Sequence, residues 1–299
     1  MNKHAYLIIA HDKYEQLGIL ISFLDDYRND IYVHIDRKSP PPPKFVVNKS
    51  KIHIYHDNNC FDVRWGDISQ IQCELFLYEK ALFSDEKYSY YHLLSGYCLP
   101  IKSQDYIHTF LNKHAGTNFI GFGQYGAESY IKRISYRHYF TRMHRERNRI
   151  KWLFYEVLRP LVEFPINLFY PIKLDQSIEY KKGANWCSLT NEFVSYLVSK
   201  KDYILKHYER SLCADEVYKQ TLIWNSSFKD TIYDSTDEFN GCLRLIDWER
   251  GFPYIWGKDE LLDTQIIVES SCLFARKMDI LLYPSMLELL KKIILDCKA

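Results

Sequence analysis

The chain has 299 residues, of which 47% are hydrophobic, enough for one large α/β domain or two small ones with a sizeable core. Its net charge of +1 at pH 7 excludes the strongly basic character of a dedicated nucleic-acid-binding protein. The eight cysteines are scattered without a CxxC pair, and no apolar run suits a signal peptide or a membrane span, so we expect a reduced, cytoplasmic protein.

The N-terminal part has the pattern of strands alternating with helices. Apolar runs predict strands at His4 to Ala10, Ile31 to Ile35 and Ile52 to Tyr55, with a helical spacing of apolar residues after the first. Short turns between such elements are typical of a parallel α/β sheet, in which ligands bind beyond the carboxyl ends of the strands. Three candidate binding residues lie at such ends: His11, Asp36 and Arg37.

The next elements continue this alternation. Patterns of apolar residues predict a helix at Ile68 to Leu82, a strand at Tyr88 to Leu94, a helix at Tyr106 to Leu111 and a strand at Asn118 to Phe122. Residues 129–152 (SYIKRISYRHYFTRMHRERNRIKW) are basic and aromatic, and the strongly apolar stretch after them is interrupted by prolines.

Two interpretations of residues 129–172 remain open. The first is a solvated basic helix followed by a loop packed on the core. The second is a patch on a membrane surface, in which cations meet anionic headgroups and aromatic rings lie at the interface. A nucleic-acid role is less favoured, because no binding motif accompanies the basic residues.

The stretch from Lys182 to Asn225 contains the main catalytic candidate. Gly183 to Thr190 is predicted as a buried strand and Asn191 to Lys206 as the following helix. Ala214-Asp215-Glu216 then opens a second helix, which places the Glu216 carboxylate in a first turn. Such a glutamate either stabilises its helix or serves a site. The remaining predictions are strands at Gly241 to Trp248 and Ser271 to Lys277, and helices at Asp259 to Val268 and Leu281 to Leu295.

The sequence lacks the usual signatures of phosphate and metal binding. No Asp-x-Asp follows an apolar strand, and neither GxGxxG nor a Walker A sequence is present. If a diphosphate binds, lysine and arginine must neutralise it directly.

Eight stretches in order resemble one known family, the core-2/I-branching β-1,6-N-acetylglucosaminyltransferases and peptide O-xylosyltransferases with their bacterial relatives. They cover residues 4 to about 280, and only residues 125–175 match nothing recognisable. The stretches are HAYLIIAHDK, YVHIDRKS, RWGDISQIQCELFLYEKAL, YYHLLSGYCLPIKS, GANWCSLTNEFVSYL, ADEVYKQTLIWNS, LRLIDWERG and LFARKMD.

The resemblance implies an α/β fold of the GT-A type, a Rossmann-like mixed sheet flanked by helices. We expect one domain, residues 1–299, with a basic and aromatic insertion at about 125–175. The implied reaction is inverting transfer from a UDP-sugar to a glycan hydroxyl, without a required metal or other cofactor. N-acetylglucosamine is the favoured sugar, with xylose or another sugar open. The expected setting is bacterial surface polysaccharide synthesis at the inner face of the cytoplasmic membrane, with a glycan or lipid-linked glycan acceptor.

The resemblance also implies roles for individual residues. Glu216 falls on the family's catalytic base, and Lys277 falls on its diphosphate-binding lysine, with Arg276 as a second donor to phosphate. Asp36 falls near the nucleoside, where His11 and Arg37 are plausible neighbours. Trp248 falls against the acceptor sugar, and Trp186 is a candidate for the same cleft. For these residues, local turn caps, a surface lysine and core tryptophans are the alternative interpretations.

Two departures from the family pattern concern the donor. Tyr97-Cys98-Leu99-Pro100 stands where members commonly have Asp-aromatic-Pro, so the choice of donor sugar is open. Ile255 and Trp256 stand where some members have another diphosphate-binding arginine. The possible replacements are Arg250, Lys258 and Arg276. These departures motivate an alternative function, a non-catalytic carbohydrate-binding or scaffold protein on a degenerate transferase fold.

Overall fold

The structure is a computed structural model that describes residues 2–58, 60–124, 126, 128–143 and 148–295. The strands are β1 (Lys3–Ala10), β2 (Asn29–Ile35), β3 (Lys51–Tyr55), β4 (Tyr88–Ser95), β5 (Leu99–Pro100), β6 (Ser188–Thr190), β7 (Arg244–Ile246) and β8 (Phe274–Arg276). The helices are α1 (Tyr14–Leu24), α2 (Ser69–Leu82), α3 (Gln104–Lys113), α4 (Glu128–Ser135), α5 (Arg149–Phe169), α6 (Asn191–Ser199), α7 (Lys201–Tyr208), α8 (Tyr218–Trp224), α9 (Glu238–Cys242), α10 (Glu260–Glu269) and α11 (Pro284–Leu295).

The main sheet has the strand order β3-β2-β1-β4-β6, in which the first four strands are parallel and β6 is antiparallel to β4. Because side chains alternate between the two faces of a strand, β1 contributes residues to two hydrophobic cores. Tyr6 and Ile8 pack into the core that includes α1, α3 and α11, whereas Leu7 and Ile9 pack into the core that includes α2, α6 and α8. The predicted α/β class, a mixed sheet flanked by helices, is confirmed.

A second sheet places the late part of the chain beside the main one. Its order is β5-β8-β7, with β7 parallel to β8 and Ile246 opposite Arg276. Since carboxyl ends of parallel strands meet at one edge, the residues that follow β7 and β8 share an edge. Met278 donates its backbone N–H to the carbonyl of Tyr97 at 3.0 Å, so this edge adjoins the turn after β4.

Several elements differ from the sequence prediction. Only Ser188–Thr190 of the predicted strand pairs in a ladder, because Gly183 lies against the backbone of Gly121 instead. A Cβ atom at Gly183 would stand 1.9 Å from the carbonyl oxygen of Gly121, so no other residue fits there. The predicted helix from Asn191 breaks at Lys200 into α6 and α7. The predicted strand at 118–122 forms isolated bridges only.

The expectation of a loop after residue 152 is wrong, because Arg149–Phe169 is one helix of 21 residues with Pro160 and Pro165 inside it. Asn148 caps it, with its Oδ1 accepting from the N–H of Ile150 at 3.0 Å. Within the described ranges, no helix is both long enough and apolar enough to cross a membrane.

A buried ion pair joins α2 to α8. Lys219 Nζ lies 2.6 Å from Glu74 Oε2, and both side chains are fully buried. Tyr218 donates to the same carboxylate at 2.8 Å and Asn185 at 2.7 Å, while Lys219 also donates to Asn185. Burying a charge is tolerated only when it is paired and hydrogen-bonded. The network therefore fixes α8 and the 183–187 segment to α2.

We expect Lys219→Met to lower the free energy of unfolding by about 3–5 kcal/mol, because it leaves the Glu74 carboxylate buried without its cation. The double variant Glu74→Gln/Lys219→Met removes both charges and should recover part of the loss. Urea unfolding measures both. Lys291→Met removes an exposed pair with Glu288 and serves as the control, with a change below about 1 kcal/mol. The coupling would be contradicted if the stability lost by the double variant equalled the sum of the losses measured for Glu74→Gln and Lys219→Met separately.

Candidate active site

Glu216 lies in a separate 3-10 turn, Ala214–Glu216, that precedes α8. This corrects the expectation that it opens the helix itself. Arg133 Nη1 donates to Glu216 Oε2 at 3.1 Å, and Lys182 Nζ lies 3.5 Å from the same oxygen. The Glu216 side chain is 33% exposed. The carboxylate of Glu216 therefore contacts two cations rather than the N-terminus of a helix.

Three backbone contacts hold the turn that carries Glu216. Gly183 donates its N–H to the carbonyl of Glu216 at 2.9 Å, and Cys213 donates to the carbonyl of Gly66 at 2.8 Å. Lys219 Nζ lies 3.3 Å from the carbonyl oxygen of Asp215. Gly66 has a φ of +76°, a conformation that glycine adopts without strain. The carboxylate of Glu216 is thus presented by a turn that is fixed at both ends.

The neighbouring Asp215 has a different electrostatic environment. Burial, and after it the negative charges of Glu216 and Glu74, raise the pKa of Asp215 to about 7.

The predicted donor-binding lysine lies over the ring of Tyr97. Lys277 Nζ is 4.3 Å from the centre of that ring, and burial followed by the charge of Arg276 lowers the pKa of Lys277. The Tyr97 hydroxyl donates to Asp12 at 2.9 Å, and the His11 ring lies 6.3 Å from the Tyr97 ring. The ends of β1, β4 and β8 therefore meet around Tyr97.

Arg276 connects this edge to the segment beside Glu216. Its guanidinium lies 4.6 Å from the centre of the Trp186 ring. It donates to Ser95 Oγ, and Cys98 Sγ lies 3.8 Å from its Nη1. Across the described residues, neither Arg276 nor Lys277 has a carboxylate within ion-pair distance. Two adjacent cations thus share one edge without an acidic partner.

Asp36 and Arg37 lie at the same edge but differ in accessibility. Asp36 is 4% exposed and accepts from both the backbone and the side chain of Lys38, at 3.1 and 2.7 Å. Arg37 is exposed. Ser39 donates to the carbonyl of His11 at 2.7 Å, which joins the ends of β1 and β2. The Asp36 carboxylate is thus already engaged within its own turn.

The other tryptophan and the other candidate cations lie in the loop after β7. Trp248 is 47% exposed and stands two residues after Ile246, the strand partner of Arg276. Arg250 is held by Asp247 and by the buried Asp263, the latter at 2.8 Å. Two more members of this loop differ in burial: Lys258 is exposed, and Trp256 is buried with its indole N–H donating to the carbonyl of Arg276 at 3.1 Å.

The sequence prediction missed three residues of this site. Tyr97 stands two residues after the end of the buried strand β4, a position that could have indicated it. Lys182 directly precedes Gly183, the glycine that opens the predicted strand, and this position could also have indicated it. Arg133 had none, because it lies 83 residues before Glu216 within a run of other basic residues.

The described part of the chain contains no group of three or more histidine, cysteine, aspartate or glutamate side chains placed to hold a metal ion. The cations that could bind a phosphate instead are those at the edge formed by β4 and β8, Arg276 and Lys277. A sugar hydroxyl approaching Glu216 would meet a carboxylate able to accept a proton.

Comparisons with known proteins agree with the family resemblance. A family model described as "Core-2/I-Branching enzyme" matches residues 4–260. No curated protein matches the chain. Among solved structures, the chain is similar to mouse xyloside xylosyltransferase 1 in its apo form, with 12% identity, 92% of this chain and 97% of that chain covered, and a TM-score of 0.39. That likeness is too low to support an argument. Since the family model covers most of the chain, the protein belongs to the core-2/I-branching enzyme family and is a glycosyltransferase.

Proposed function

We propose that the protein transfers a sugar with inversion from a UDP-sugar to a glycan hydroxyl, with Glu216 as the base and Arg276 and Lys277 at the diphosphate. The observation that supports this best is a continuous set of contacts between Glu216 and the two cations. Arg276 stacks on Trp186, which belongs to the segment whose Gly183 donates its N–H to Glu216. A donor and an acceptor bound along this path would meet between the base and the cations.

In this reaction, the acceptor oxygen forms a bond to the anomeric carbon while the bond from that carbon to the phosphate oxygen breaks. The acceptor proton moves to Glu216. Both Arg133 and Lys182 contact Oε2. Oε1 has no hydrogen-bond partner in the described portion, and we assign it as the proton acceptor. Such a base typically contributes 10²–10⁴-fold to the rate.

The departing UDP carries the negative charge that develops in the transition state. Arg276 and Lys277 are placed to stabilise it, since each lacks an acidic partner in the ranges described. Burial, and after it the charge of Arg276, lowers the pKa of Lys277, and a bound anion would offset the repulsion between the two cations. Arg276 would thus replace the missing second arginine. Arg250 is less suited, because Asp247 and Asp263 already neutralise it.

The donor side would be completed by the edge around Tyr97. His11, Asp36 and Arg37 lie at the ends of β1 and β2, where a nucleoside would extend from the diphosphate. N-acetylglucosamine is the favoured sugar, with xylose or another sugar open, because Cys98 replaces the carboxylate common at that position. Trp186 and Trp248 would contact the acceptor through their indole faces. The proposed setting is polysaccharide synthesis in the bacterial cytoplasm, without a metal.

Glu216→Gln should reduce transfer at least about 100-fold while leaving the affinity for UDP nearly unchanged, because it removes the proton acceptor but not the cations. Product formation and calorimetric titration with UDP measure the two quantities. Glu209→Gln, at an exposed position of similar chemistry, is the control and should remain active. Ordinary turnover by Glu216→Gln would refute the assignment. Binding of UDP-sugars by the wild type without transfer or hydrolysis would favour the scaffold function.

Lys277→Met and Arg276→Met should each raise the dissociation constant of UDP by roughly tenfold or more, because each removes a charge-assisted hydrogen bond to phosphate. The exposed Lys258→Met is the matched control and should bind UDP normally.

Activity should persist in EDTA, since Arg276 and Lys277 would replace a metal. Complete loss of activity in EDTA, restored by a divalent cation, would overturn that part of the proposal.

Asp215→Asn should stabilise the protein at pH 8 but not at pH 3. The native state holds a proton on Asp215 up to about pH 7, whereas the unfolded state releases it near its usual value of 3.8. The wild type therefore loses stability as pH rises through this window, and the variant lacks this loss. Urea unfolding at several pH values measures the difference, with the exposed Asp202→Asn as control. Parallel stability profiles for the Asp215→Asn variant and the wild type would contradict the raised pKa.

A further inference from the structure

The helix α5 exposes most of its apolar residues and buries two of its polar ones. A row of apolar side chains at helical spacing lies on one face, and each is more than half exposed: Ile150, Leu153, Phe154, Val157, Leu161, Phe164 and Leu168. The residues of α5 that are buried include Glu163 and Asn167. A helix of a soluble protein normally has the opposite arrangement. The outward face of α5 is therefore an unusually large apolar surface.

The polar face of α5 attaches it to the rest of the protein. Glu163 accepts from the N–H of Tyr139 at 2.9 Å and lies 3.3 Å from the His138 ring nitrogen. Asn167 accepts from the N–H of Arg137 at 2.7 Å and donates back to its carbonyl at 3.2 Å. Because these bonds fix the orientation of the helix, the outward direction of the apolar face is built into the fold.

The charges around α5 match an anionic lipid surface. Residues 129–152 carry eight lysine or arginine residues and one glutamate, and two of these cations, Arg133 and Arg142, pair with Glu216 and Asp62. Arg149 and Lys151 lie at the start of the helix, beside the exposed Trp152. At its other end Tyr170 is 70% exposed. An apolar face with basic flanks and aromatic ends is typical of helices that lie in the plane of the headgroups.

The segment that carries α5 also contacts the base. Arg133, on α4, donates to Glu216, and its carbonyl accepts from the N–H of Leu212 at 2.9 Å. On the far side of α5, Ile172 donates to the carbonyl of Ser135 at 3.2 Å. The segment that carries α5 thus leaves α4 at one end and contacts α4 again at the other, beside Glu216.

We propose that α5 is the docking surface for an anionic bilayer, with its apolar face in the headgroup region and with Arg149 and Lys151, at the start of the helix, against the lipid phosphates. The docking follows from α5 itself. Its consequence, that a lipid-linked acceptor reaches Glu216 beside the membrane, rests on the proposed function.

The test is flotation with vesicles of phosphatidylcholine alone and with about one third phosphatidylglycerol. The wild type should float with the anionic vesicles at low salt and much less at 0.5 M salt, since surface attraction is screened. Leu161→Glu should reduce the partition coefficient at least tenfold. Leu261→Glu makes the same change at an exposed leucine of α10 and should float like the wild type. Circular dichroism checks that both variants are folded.

Lack of flotation by the wild type, or equal flotation by Leu161→Glu, would overturn the proposal. A wild-type dimer that dissociates in Leu161→Glu and does not bind vesicles would assign the face to a second copy instead. Glu216→Gln should float normally, so failure of the docking and failure of the catalytic assignment give different results.

Discussion

The buried ion pair between Glu74 and Lys219 joins the segments from which the base side of the site is built. Lys219 follows the turn that carries Glu216, and Asn185, which shares the same network, belongs to the segment that donates to that turn. A buried charge without its partner is strongly unfavourable, so each segment has one permitted position. The position of Glu216 thus depends on α2, an element distant in sequence.

The site separates its charges into two parts. The carboxylate of Glu216 is balanced by Arg133 and Lys182, whereas Arg276 and Lys277 lack acidic partners among the described residues. Under the proposed function, the first part would hold the base and the second would bind the anion that arrives with the substrate. Trp186 contacts Arg276 and belongs to the segment whose Gly183 donates its N–H to the carbonyl of Glu216. The two parts therefore differ in charge, one balanced and the other cationic.

Local patterns predicted the elements of the main sheet well, because its strands are apolar and its helices have a clear period. They failed where contacts between distant parts of the chain determine the conformation. Gly183 to Cys187 is apolar enough for a strand, but Gly183 packs on Gly121 instead. Pro160 and Pro165 favoured a loop where the structure has the helix α5. Glu216, Arg276 and Lys277 were found only through their resemblance to a family pattern. Arg133 lacked any local signal, since its contact with Glu216 joins two distant parts of the chain.

The pair of unpartnered cations has a consequence for turnover. Arg276 and Lys277 would recognise the diphosphate, and this group remains on the nucleotide after the sugar has left. The product therefore keeps most of the groups that made the donor bind, while the sugar no longer contributes. Under the proposed function, such a site would release its nucleotide slowly and would be inhibited by it. Continuous synthesis in the cell would then depend on an activity that removes the nucleoside diphosphate as it accumulates.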